Sequence, residues 1–134
     1  MEFPVELDEF LNAWEIDSIN AKTAFSEYLD FLKMENDLSA KFISRPNISH
    51  SLRIFNDQDK IVSLIDVIDD DSENRWLSVC FFAALINDPE ELGDFVPEGL
   101  EGQDAVCFNY DEADNRMKDY IKDRLGDAVA SSRK

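Results

Sequence analysis

His50 is the only histidine in the chain. A general base needs a positioned partner within hydrogen-bond reach. Asp66, expected on a neighbouring strand, can supply that partner as a carboxylate, and Arg53 supplies a cation beside it. His50, Asp66 and Arg53 are therefore the candidate catalytic residues. Ser49 and Ser51 flank His50, but successive strand side chains alternate between faces, which argues against a serine–histidine pair from these neighbours. The competing reading is a packed, hydrogen-bonded histidine with no catalytic role. Arg45, Arg53 and Arg75 are the bases at strand positions or strand ends; together they could hold an anion, and apart they would pair with acids. No nucleophile elbow, phosphate loop or paired zinc-ligand motif is present.

Carboxylates offer the second kind of chemistry. Asp66, Asp69, Asp70, Asp71 and Glu73 are bunched, and Asp69, Asp70, Asp71 and Glu73 are the candidate ligands for Ca²⁺ or Mg²⁺. The stretch departs from the EF-hand loop, lacking its alternating acids, its glycine and its terminal glutamate. A solvated acidic turn explains it better, and no metal or other cofactor is expected. A longer acidic stretch follows: between Trp76 and Asn115 there is no Lys or Arg, and the same span holds ten acids. Asp88, Glu90, Glu91, Asp94, Glu98, Glu101 and Asp104, with Phe95 and Leu100 among them, are the candidate partner-binding residues. Charge would steer a basic partner and the apolar side chains would anchor it. The first 21 residues also lack a base and carry six acids; the docking reading requires the two segments to share a surface.

The elements that must position these groups follow from periodicity. Trp76 to Ile86 is the longest apolar run, with Ser78 its single polar residue. Apolar at odd and even positions alike, it reads as a central strand buried on both faces. A buried helix over Val79–Ile86 is the alternative, favoured by Ala83, Ala84 and Leu85 and disfavoured by Val79, Phe81 and Phe82. Apolar residues at three- and four-residue steps predict helices over about 5–15 and 18–34, and again over about 112–130 with Asp111 as cap. Alternation predicts strands over about 38–44, 48–55 and 60–68, then 75–86 and 105–110, with an acidic loop over 87–104. The short connections favour an antiparallel meander. The expected fold is a single α+β domain: two N-terminal helices, a mainly antiparallel five-stranded meander sheet, and one C-terminal helix packed on the sheet. A partner copy, a helix or the long loop would then cover the second face of the central strand.

Composition narrows the function classes. With 44% hydrophobic and 11% aromatic residues the chain can bury a core, and it is not a disordered acidic tail. A net charge of −17 repels nucleic acid and anionic membrane. Nothing approaches the ~20 apolar residues of a membrane span. Cys80 and Cys107 lie in apolar segments and read as reduced core thiols; with no signal-peptide pattern at the start, a cytoplasmic protein is expected. The leading functional reading is a small acidic, non-enzymatic interaction or inhibitor/immunity-type module that binds a basic protein. The alternatives are an enzyme acting on a small molecule or dependent on a divalent metal, with a pocket between the sheet and the 87–104 loop, and a homodimerising domain.

Overall fold

The computed structural model describes residues 1–134. Its elements are α1 (Val5–Ala13), α2 (Ala21–Lys33), β1 (Ser39–Arg45), β2 (Ser49–Phe55), β3 (Ile61–Ile68), β4 (Trp76–Phe82), a 3₁₀ turn (Ala83–Leu85), β5 (Asp94–Leu100), β6 (Gln103–Tyr110) and α3 (Asn115–Ser131). The class is α+β, as the periodicities predict. The sheet has six strands rather than five, in the order β1-β2-β3-β4-β6-β5, antiparallel throughout. The meander holds through β4; the chain then runs to the far edge as β5 and returns as β6, between β5 and β4.

Three expectations are corrected. The stretch taken as a loop over 87–104 contains β5. Pro97 and Gly99 hide it in the sequence, yet an edge strand tolerates proline because one side of its backbone needs no ladder donor. A two-residue hairpin closes it: Leu100 pairs with Gln103, and Glu101 (φ 50°) and Gly102 (φ 78°) both take the left-handed conformation that such turns require. Second, the central run is not buried on both faces. Leu77, Val79 and Phe81 are buried, whereas Trp76, Ser78, Cys80 and Phe82 are half-exposed. The run also turns out of the sheet at Ala83, so the helix-favouring alanines form a 3₁₀ turn, not strand. Third, Cys80 and Cys107 are not free thiols. They lie directly opposite each other on β4 and β6, with Cα atoms 4.1 Å apart, and form a disulfide. Such a bond persists in a non-reducing setting, so the cysteines no longer support a cytoplasmic location. No helix is long and apolar enough to cross a membrane.

All three helices cover one face of the sheet. Leu7 and Trp14 from the first segment, Phe25, Tyr28 and Leu32 from α2, and Ile121, Leu125 and Ala128 from α3 meet Leu52, Ile54, Ile65, Val67, Leu77, Val79, Phe81, Phe108 and Tyr110 in one core. The opposite face has no helix on it. A small apolar cluster sits at its lower edge, where Ile61, Leu100 and Ala105 gather Phe55, Leu64 and Phe82.

Placement on β5 or β6 therefore decides what a phenylalanine is worth. Phe108 is fully buried and Phe95 is 60% exposed. Phe108→Ala is expected to destabilise by about 3–5 kcal/mol and Phe95→Ala by no more than about 0.5 kcal/mol, as read by urea unfolding. Equal losses would contradict this strand assignment.

Candidate functional site

The β1–β2 hairpin carries the first group of polar residues. Its turn, with Asn47 at φ 67°, makes Ser44 the cross-strand partner of His50 and Lys41 that of Arg53. Side chains directly opposite share a face, so Ser44 and His50 point to the helix side and Lys41 and Arg53 to the uncovered side. The β2–β3 register then sets Asp66 opposite Ser51 and Val67 opposite His50. Asp66 and His50 consequently face opposite sides of the sheet, and the expected His50–Asp66 partnership is corrected. His50 is bonded instead to Asp69, with Nε2 2.7 Å from Oδ2, while its Nδ1 lies 2.9 Å from Ser44 Oγ.

Around this pair the upper end of the core is closed by aromatic and guanidinium groups. Arg75 Nε donates to Asp69 Oδ1 at 2.8 Å and Nη2 to Oδ2 at 3.2 Å. The Arg75 guanidinium lies over the rings of Phe10 and Trp14, and the Phe10 ring centroid is 4.2 Å from that of His50. Burial pushes the Asp69 carboxyl up, but the hydrogen bonds and charges of Arg75 and His50 outweigh it and hold the group below the usual carboxylate range. An ionised Asp69 only accepts, so in the neutral imidazole Nε2 carries the proton and Nδ1 accepts from the Ser44 hydroxyl. His50 and Asp69 are buried while Ser44 is exposed. Hydroxyl, imidazole and carboxylate thus stand in the order of a nucleophile, its base and the base's orienting group. Ser44, Asp69 and Arg75 were absent from the expected catalytic set. The signal for Ser44 was the equal spacing of residues 44 and 50 from the turn; nothing in the sequence pointed His50 to Asp69 rather than Asp66.

Asp66 and Arg53 lie on the uncovered face. Burial raises the Asp66 carboxyl, opposed by the Ser51 hydroxyl and by the charges of Arg53 and Arg45. Asp66 Oδ1 and Arg53 Nε are shielded from solvent without a hydrogen-bond partner. The expected anion site from Arg45, Arg53 and Arg75 does not assemble, because Arg75 is bonded to Asp69 beneath the helices.

The acidic residues divide. Asp69 is taken by His50 and Arg75; Asp71 caps its own turn through Glu73 N and the Asn74 side chain; Asp70 and Glu73 are exposed. No three His, Cys, Asp or Glu side chains come together to hold a metal ion. In the 87–104 stretch, Asp88 is an internal fastener. It accepts from Tyr120, Leu92 N and Gly93 N, bonds that hold its carboxyl low against the upward push of burial. Glu90 pairs with Arg116, and Asp104 accepts from Glu98 N. Glu91 and Glu101 occupy turns, and Asp94 opens β5. Phe95 is exposed, but Leu100 is 7% exposed and belongs to the lower apolar cluster, so it is no surface anchor.

A different set of acids converges. Ser18 Oγ donates to the Glu73 carbonyl at 2.9 Å and lies 3.1 Å from Asn74 Oδ1, tying the α1–α2 connection to the β3–β4 turn. Tyr110, at the end of β6, pairs with Leu77 at the start of β4 and brings the β6–α3 connection to the same end. Glu15, Asp17, Asp70, Asp71, Glu73, Asp111, Glu112 and Asp114 therefore share one end of the sheet. None is in an ion pair. Nearby Lys22 is turned inward to the Trp14 carbonyl and Arg75 to Asp69. Comparison with protein-family models, curated proteins and solved structures found no match.

The Asp69 network has a signed pH dependence. Its folded-state value is depressed, so its contribution is complete above the ordinary carboxylate value of about 4 and is lost as pH falls through the folded value. Asp69→Asn is expected to cost about 3–5 kcal/mol at neutral pH, since it strands Arg75 at 16% exposure. It should also flatten the acid limb of a stability–pH curve measured by urea unfolding. An unchanged acid limb would show that Asp69 does not carry the effect.

Proposed function

We propose that this protein is an acidic interaction module that docks a basic protein surface on the carboxylate-rich end of its sheet. The observation that carries the reading is the gathering, on three separate connections, of eight carboxylates with no ion-pair partner. Carboxylates held together by the fold deepen the local negative potential, which steers a cationic surface and favours it over other partners. This end is preferred to the 87–104 stretch because Glu90 there is ion-paired with Arg116 and Leu100 is buried, whereas none of the eight is in an ion pair.

The test separates location from total charge. One variant neutralises the end (Asp70→Asn, Glu73→Gln, Asp111→Asn, Glu112→Gln). A second neutralises four exposed acids of the helical layer (Glu9→Gln, Asp30→Asn, Asp119→Asn, Asp123→Asn). Both keep the α3 cap at Asp114 and the turn cap at Asp71. A basic protein retained by the native chain at physiological salt is expected to lose at least about tenfold in affinity for the first variant and little for the second. Equal losses would mean that net charge alone does the binding.

The Ser44–His50–Asp69 order favours a second reading, an acyl hydrolase with Ser44 as nucleophile. Oγ would attack the acyl carbon of an ester as His50 Nδ1 takes the hydroxyl proton. His50 would return that proton to the leaving alkoxide, and water would then free the acyl group. A fluorophosphonate reports the first step, since the Oγ–P bond forms as P–F breaks and fluoride leaves with the proton held on His50. This reading expects one adduct, on Ser44 by peptide mass mapping and absent from Ser44→Ala. No adduct, or adducts spread over several serines, would overturn it.

A further inference from the structure

We propose that the uncovered face of the sheet is a homodimer interface, on which two copies stack face to face about a two-fold axis parallel to the strands. The strand registers define a single row across this face: Lys41, Arg53, Leu64, Cys80, Cys107 and Asp94, each directly opposite the next. Charge runs along the row from two cations through an apolar, disulfide-bridged centre to an anion. An axis along the strands through the middle of the sheet lays β1 over the second copy's β5, β2 over its β6 and β3 over its β4. Lys41 then meets Asp94, Arg53 lies above Cys107, and Leu64 meets Cys80. One row up, Ile43, Ser51, Asp66, Ser78 and Asn109 stand in register. The same operation sets Asp66 over Ser78 and Ser51 over Asn109.

Three observations select a second copy as the occupant. The first is this self-complementarity, which a two-fold interface demands because the same patch serves both sides. The second is charge balance. Lys41, Arg45 and Arg53 face Asp66 and Asp94, so this face escapes the excess of the −17 chain, and the remaining like charge is screened within ~8 Å at physiological salt. The third is the centre of the row, where Leu64, Cys80 and Cys107 are partly exposed and no helix packs over them. The size also fits. Six strands at ~4.8 Å spacing and about seven residues at ~3.3 Å give on the order of 650 Å² in plan. A pleated surface exposes more than its plan area, and a standard interface needs about 800 Å² per partner.

The experiment is charge exchange followed by sedimentation equilibrium at physiological salt, with circular dichroism confirming that each variant is folded. The native chain is expected to sediment at twice its 15.4 kDa protomer mass. Asp94→Lys alone, and Lys41→Glu with Arg53→Glu, each place like charges opposite one another and should weaken the dimer at least about tenfold. Mixed in equal amounts, the two variants restore both complementary ends and should recover the dimer mass. A native monomer at high micromolar concentration overturns the proposal. So does an unaltered dimer in both variants, or a mixture that stays monomeric.

Discussion

Strand side chains alternate, and in this protein only one of the two resulting faces has helices to cover it. Every assignment on the sheet depends on that asymmetry. Leu52, Ile65, Val79 and Phe108 go to the helix side and close the core; Arg53, Leu64, Cys80 and Cys107 go to the other side and form one row. A slip of one residue in any register would exchange the two sets. The buried faces of β2, β3, β4 and β6 make such a slip costly, so the outer row, which buries little itself, is held in place by the packing beneath it.

The same alternation distributes the charge. Five of the thirteen bases are ion-paired within the fold: Arg75 with Asp69, Arg116 with Glu90, Lys118 with Glu27, Arg124 with Asp127, and Arg133 with Glu35 and Asp37. Lys41, Arg45 and Arg53 lie on the uncovered face. The carboxylates of the upper connections are left without counter-charge. An acidic end and a balanced, part-apolar face are distinct surfaces with distinct chemistry, and occupation of one leaves the other open.

His50 shows how a polar group is accommodated at the rim of an apolar core. Its ring packs on Phe10, and both nitrogens are satisfied by Ser44 and Asp69. Asp69 is in turn satisfied by Arg75, whose guanidinium covers Phe10 and Trp14. A buried charge costs heavily unless it is both paired and hydrogen-bonded, and this chain of contacts meets both conditions. It links the β1–β2 hairpin, the β3–β4 connection and α1, so the geometry available for chemistry at Ser44 is also the seal on the upper end of the core.

Local pattern alone was enough to establish much of this architecture. The spacing of Ala24, Phe25, Tyr28 and Leu32 determined a helix and the face it buries, and alternation from Ser39 to Ile68 determined three strands with short turns between them. These features are local: a period of 3.6 or 2 and a turn residue act within a few positions. Tertiary structure decided the rest. Asp94–Leu100 became a strand because β6 offered it an edge, although its own residues disfavour strand. Asp69 rather than Asp66 became the partner of His50, because the register between β2 and β3 places Asp66 on the other face. Cys80 and Cys107, 27 residues apart, met because β6 returned beside β4. Pairing between distant segments is settled by which surfaces the whole chain can bury together, and no window of sequence contains that comparison.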